Sequence, residues 1–142
     1  MFESFTKLVE KHSKQNTIAY QKEFSVIMGQ KIARKTPVDT GRATANWKAG
    51  VNKAPKGRSD EFDRSATAQK TANEMRKDLG SLGVKDTVVI RNSVNDGLEN
   101  GEDYILKLED GASSQAPNGM FMVNIVQYKR VAREAIKKLG LK

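Results

Sequence analysis

An α+β fold is what this chain predicts: a small antiparallel sheet packed against long N- and C-terminal helices, with one further helix between strands. Three observations carry that expectation. The first 35 residues contain no proline and repeat apolar residues every three to five positions. Two later stretches alternate apolar and polar residues with a period of two. The last quarter returns to helical spacing. At 142 residues the chain suits one domain, 1–142.

The elements follow in order. Phe2, Phe5, Val9, His12, Phe24, Ile27 and Ile32 fall near one face of a helix over 1–35. Pro37 ends it, because Thr36 before it is pushed out of the helical region. Ala43, Ala45, Trp47, Ala49 and Val51 share one parity, which predicts a half-buried strand over 42–52. Residues 53–63 are rich in turn formers and charge and read as a loop. Ala68, Ala72, Met75 and Leu79 predict a helix over 64–79, with Asp63 or Ser65 accepting from its first free amides. Val84, Val88, Ile90 and Val94 predict a strand over 84–94, closed by the turn Asn95-Asp96-Gly97. Tyr104, Leu106 and Leu108 suit a strand over 103–109, with a helical turn as the alternative. Pro117 is placed to start a C-terminal helix over 118–139, lined by Phe121, Ile125, Tyr128, Ala132, Ala135 and Leu139.

Composition pushes away from enzymes. The absence of cysteine excludes a disulfide scaffold, a thiol nucleophile and thiolate metal sites. A single histidine, His12, leaves no multi-histidine metal centre, and no cofactor is expected. The segment Gly80–Thr87 lacks the register of a phosphate loop, and the acidic run after Asn95 lacks the ligand spacing of a calcium loop. Neither a secretory signal nor a membrane-spanning run is expected.

The net charge of +8 is segregated. Residues 1–35 carry seven Lys/Arg against three Glu, and residues 129–142 carry six against one. Residues 96–110 hold six carboxylates and one lysine. A basic balance raises nucleic acid as a partner, so a basic nucleic-acid-binding protein is the alternative function. The aromatic residues fall mostly on faces expected to be buried, which argues against that alternative.

Two segments ask for more than a structural reading. In the first, Thr36-Pro37-Val38-Asp39-Thr40-Gly41-Arg42 leads to Trp47, a tight connection in which Gly41 permits a positive φ. The second runs from Tyr104 through Leu108, Glu109 and Gly111 to Ser114-Gln115-Ala116-Pro117, Gly119 and Met120.

This ordered pair resembles the tail-completion and head–tail joining proteins of tailed bacteriophages. Members carry a "TPVDTGRLRxSW"-like entry after a long helix, then a "Y…LExG"-like stretch and an "S.QAP.GM"-like loop before a closing helix. Ala43 stands here in place of the usual Leu, and Asn46 in place of the usual Ser before Trp47. The resemblance implies a non-enzymatic virion subunit, assembled in the host bacterial cytoplasm. It would form a homo-oligomeric ring, usually six-fold, that caps the tail tube and docks it to neck and connector proteins. It also implies transient contact with viral DNA in the lumen and no membrane partner. The motif residues Pro37, Asp39, Thr40, Gly41, Arg42, Trp47, Tyr104, Glu109, Gly111, Ser114, Gln115, Pro117, Gly119 and Met120 are then expected at the interface. A ring contact joins two different faces. Charge segregation suggests which: Glu102 and Asp103 of one subunit against Lys129, Arg130, Arg133 and Lys137 of the next.

Overall fold

The computed structural model describes residues 2–38, 40–97 and 104–141. The elements run α1 (Phe2–Lys35), α2 (Arg42–Ala45), β1 (Trp47–Val51), α3 (Gln69–Asp78), β2 (Val88–Asn92), α4 (Tyr104–Glu109), α5 (Met122–Ile125) and α6 (Tyr128–Lys138). The fold is α+β, as expected, with α3 between the two strands.

The C-terminal half of α1 is the spine, packing against α3, α6 and β1. Val26, Met28, Ile32 and Ala33 are buried there. These residues do not form one stripe, because the helix is covered from several sides. Gly29 lets α3 approach, since a Cβ at that position would collide with the Met75 side chain. The helix stops where Pro37 requires. Thr36 donates its amide to Ala33 O and its hydroxyl to Ile32 O, at 3.1 and 3.0 Å. Glu23 is buried and receives Arg76 of α3 at 3.0 Å and Lys138 of α6 at 2.6 Å, so one carboxylate ties three helices.

The sheet has two antiparallel strands in the register Trp47↔Asn92, Ala49↔Ile90 and Val51↔Val88. Trp47, Ala49, Val51, Val88 and Ile90 join the core face with Ala68, Ala72, Met75 and Leu79. The alanine-rich spacing of α3 thus marks buried positions as expected, but the helix expected over 64–79 starts only at Gln69, because Ala68 before it takes a left-handed conformation with φ +52°. Asp63 and Ser65 both act at its start. Asp63 accepts from the Thr71 amide at 2.9 Å, and the Ser65 hydroxyl accepts from the Gln69 amide at 3.2 Å. The loop 53–63 is held by side chains: Ser59 exchanges bonds with Asn46, and Arg91 donates to Pro55 O.

Four further expectations are corrected. The strand expected over 42–52 begins only at Trp47. Residues 42–45 form the helical turn α2, because Ala43 and Thr44 are both buried and the Ala45 amide bonds Gly41 O. Alternating small residues fit a turn and a strand equally well. The strand expected over 84–94 shrinks to Val88–Asn92, with Val84 exposed. In place of a strand over 103–109 there is the helix α4, in which Leu108 is buried and Leu106 exposed. Such burial follows helical rotation, not parity. The helix expected over 118–139 does not start at Pro117. It is split into α5 and α6, and its buried residues are Val131 and Ala135, with Tyr128 exposed. Asn124 explains the break. Its side chain donates to Met120 O and to Lys31 O, and its carbonyl takes the Gln127 amide in a tightened turn.

Candidate functional site

The two motifs, far apart in sequence, meet in space. Where α1 ends, the extended backbone of Val38 donates its amide to Gln115 Oε1 at 2.9 Å. Gln115 Nε2 returns a longer bond of 3.5 Å to Val38 O. The Gln115 amide thus acts like one rung of a β-ladder. Beneath this rung, Trp47 donates Nε1–H to Thr36 Oγ1 at 2.7 Å. Its indole stacks on Phe121 with ring centroids 6.2 Å apart and planes 12° apart. Thr36 already donates to Ile32 O, so α1, β1 and the start of α5 are locked through one hydroxyl and one aromatic pair.

Glu109 organises the second motif. Its carboxylate accepts the amides of Met120 at 3.0 Å, Phe121 at 2.8 Å and Met122 at 3.0 Å. These are donors that a helix start leaves free, so a residue at the end of α4 caps α5. Gly119 makes this possible. It has φ +77°, and a Cβ there would lie 2.5 Å from Glu109 O. Gly111 likewise turns with φ +90° and has no room for a Cβ beside Pro117 O.

In the first motif Gly41 has φ +86°, as its position predicts. Its carbonyl accepts the amides of Ala45 and Asp63 at 3.1 and 2.9 Å. Thr40 O receives Arg64 Nε at 2.8 Å, and the Arg42 guanidinium lies 5.0 Å from the centre of the Phe62 ring. Asn46 is fully buried and bonds Arg42 O as well as Ser59.

Six of the fourteen motif residues expected at an interface are therefore internal to the subunit. Pro37, Gly41, Trp47, Gly119 and Met120 are buried, and Glu109 is consumed as a cap. Thr40, Ser114, Gln115 and Pro117 are exposed. Asp39, Glu102 and Asp103 lie outside the described residues, and only the backbone of Tyr104 is placed, in α4. Beside the Val38–Gln115 rung opens a groove of about 470 Å³, with Thr36, Val38, Gln115 and Asn124 along it and Lys31, Arg34 and Lys35 at its rim. A second depression, about 410 Å³, holds Lys48, Glu61, Lys70, Glu74 and Asp78. Lys70 pairs with Glu61 at 2.5 Å within it. Burial, with Glu74 nearby, pushes the Asp78 carboxyl up. Among the described residues no group of three potential metal ligands occurs.

The acidic residues of 96–110 are partly spent inside the subunit. Asp96 receives Arg91 in a two-pronged pair at 2.7 and 2.5 Å, and the Gly57 amide at 2.8 Å. The Arg91 bonds hold its carboxyl well below the usual range. Burial raises the Glu109 carboxyl, but its three amide donors outweigh that and leave it lowered. Asp63 behaves alike: burial raises it, and donors from Ser65 and Thr71 bring it below its ordinary value.

Lowered folded-state values mean stability that is present above the ordinary carboxylate range and lost as pH falls through the folded values. Thermal stability should hold from pH 7 to about 5, then fall below about pH 4. Glu109→Gln and Asp63→Asn should each flatten that acid limb. A Tm unchanged between pH 5 and 2.5 would contradict these roles.

Sequence reading missed Glu23, Asn46 and the partner of Gln115. The one available signal was Glu23, the only acid between Glu10 and the end of α1, set among apolar residues. No protein-family model, no curated protein and no solved structure matches the chain.

Proposed function

We propose that this chain is a structural subunit of a tailed bacteriophage. In this reading it forms a homo-oligomeric ring, hexameric, at the head–tail joint, as tail terminator, tail-completion or neck protein. The ring caps the tail tube, docks it to the connector and needs no catalytic centre. The resemblance of the two motifs supports the family. The observation that carries assembly is an apolar surface around α5. Met122 is 54% exposed, Val126 68% and Tyr128 53%. Beside them Phe24, Met28, Val88, Ile90, Phe121 and Ile125 line an open groove of about 360 Å³. Contiguous apolar surface of this kind marks a place where another protein sits, and a second copy of the chain is the occupant this reading requires. The buried motif junction has a matching role: Glu109 and Trp47 fix the position of α5, and so of that surface.

The test is made in particles. Cryo-microscopy of intact virions should show the chain as a closed ring at the joint. Val126→Glu should leave the circular dichroism of the free subunit unchanged and prevent its incorporation. Absence of the chain from purified virions would refute the reading. Full incorporation of the Val126→Glu protein would remove the α5 surface from it.

A further inference from the structure

We infer that the solvent face of α6, continued by the last turn of α1, is a phosphate-binding surface for duplex DNA that reads no sequence. Lys129, Arg133 and Lys137 are exposed and fall at i, i+4 and i+8 on α6. They form one row about 12 Å long at 1.5 Å rise per residue. The neighbouring row is Arg130, Glu134 and Lys138. Glu134 is the only carboxylate on the helix, and it is shared by Arg130 at 3.7 Å and by Lys31 of α1 at 3.2 Å. That shared carboxylate fixes α1 beside α6. Arg34 and Lys35 lie one turn beyond Lys31 on α1, at the rim of the groove beside Gln115. Among the described residues, Arg34, Lys35, Lys129, Arg133 and Lys137 enter no ion pair.

Five exposed cations on two helices linked at Lys31–Glu134, none of them in an ion pair among the described residues, raise the local potential and favour a polyanion. The acidic segment 96–110 of a second copy is the competing occupant. It is weakened as a partner because two of its six carboxylates, Asp96 and Glu109, are already engaged inside their own subunit. Duplex DNA carries one phosphate about every 3.4 Å along each strand, so a 12 Å row of charge spans several of them. The row offers two ammonium groups and one guanidinium spaced a turn apart, with no amide or aromatic side chain between them, and contacts to phosphate fix position without carrying sequence information, so affinity should depend little on sequence. This surface adjoins the α5 apolar patch at Tyr128, next to Lys129, but shares no residue with it, and its DNA contact does not depend on ring formation.

The experiment measures binding of the full chain to two fluorescent 30-base-pair duplexes of unrelated sequence, at salt concentrations from 50 to 200 mM. Five phosphate contacts predict a slope of log K against log salt near −4.5, or about a 500-fold loss over that range. The triple variant Lys129→Gln, Arg133→Gln, Lys137→Gln should retain its fold and show a slope near −1.8, about a 12-fold loss. The two duplexes should bind within about threefold of each other.

Unchanged binding by the triple variant would overturn the inference, as would more than 100-fold preference for one duplex. So would binding of phosphatidylserine vesicles, or of a peptide of residues 96–110, in the absence of DNA binding. Loss of DNA binding with rings intact in virions supports this inference and leaves the ring reading untouched. Loss of rings with DNA binding intact in Val126→Glu does the reverse.

Discussion

Trp47→Ala should lower the unfolding free energy by about 3–5 kcal/mol, the usual range for emptying a buried aromatic site. The indole is 5% exposed, stacks on Phe121 and donates to Thr36 Oγ1. Its removal leaves a cavity between α1, β1 and α5 that a two-stranded sheet is poorly built to close. For a domain of this size the Tm should fall by at least about 10 °C. Trp47→Phe should lose much less. A ring remains against Phe121, and Thr36 still donates to Ile32 O, so no buried donor is stranded. Calorimetry and urea unfolding of the two variants give the comparison. A loss below about 1 kcal/mol for Trp47→Ala would mean that the motif junction is not part of the core.

Gly119→Ala should be nearly as severe, at about 2–4 kcal/mol, through strain at a special backbone position. The methyl group meets two obstacles at once. The residue has φ +77°, which an L side chain rarely adopts, and the new Cβ would lie 2.5 Å from Glu109 O and 2.8 Å from the Glu109 carboxyl carbon. Relieving the collision pulls Glu109 off the amides of Met120, Phe121 and Met122. The loss should therefore be non-additive with Glu109→Gln. Once the cap is weakened, the alanine has less to disturb, and the double variant should lose less than the sum of the two. Strict additivity would separate the glycine from the cap. An outcome near zero for Gly119→Ala would show that the turn tolerates a different path.

The end of the chain departs from its spacing at Asn124. Apolar residues at 121, 125, 128, 132, 135 and 139 describe a single continuous stripe, and the stripe is real as a pattern. It does not show that the side chain of Asn124 bonds Lys31 O of another helix and breaks the run after Ile125. Residues 103–109 were ambiguous for a related reason. Seven residues with apolar positions at 104, 105, 106 and 108 satisfy both periods, and only packing of Leu108 against the core chooses between them.

Sequence alone determined the local features of this protein. Helix α1 runs until Pro37 because nothing before it interrupts a helix and proline cannot continue one. Gly41 turns with positive φ because the connection is too tight for a side chain. The α3 stripe is buried because its small and apolar residues recur at 3.6. Charge segregation is likewise a property of the chain. Tertiary structure decided what depends on meetings between distant residues: that Gln115 completes a rung on Val38, that Glu109 caps a helix starting thirteen residues later, and that Glu23 ties three helices. It also decided which charges remain for a partner. Asp96 and Glu109 look as available in the sequence as any carboxylate, but folding spends them on Arg91 and on free helix amides. The lysines and arginines of α6 meet a single carboxylate on their own helix and stay on the surface.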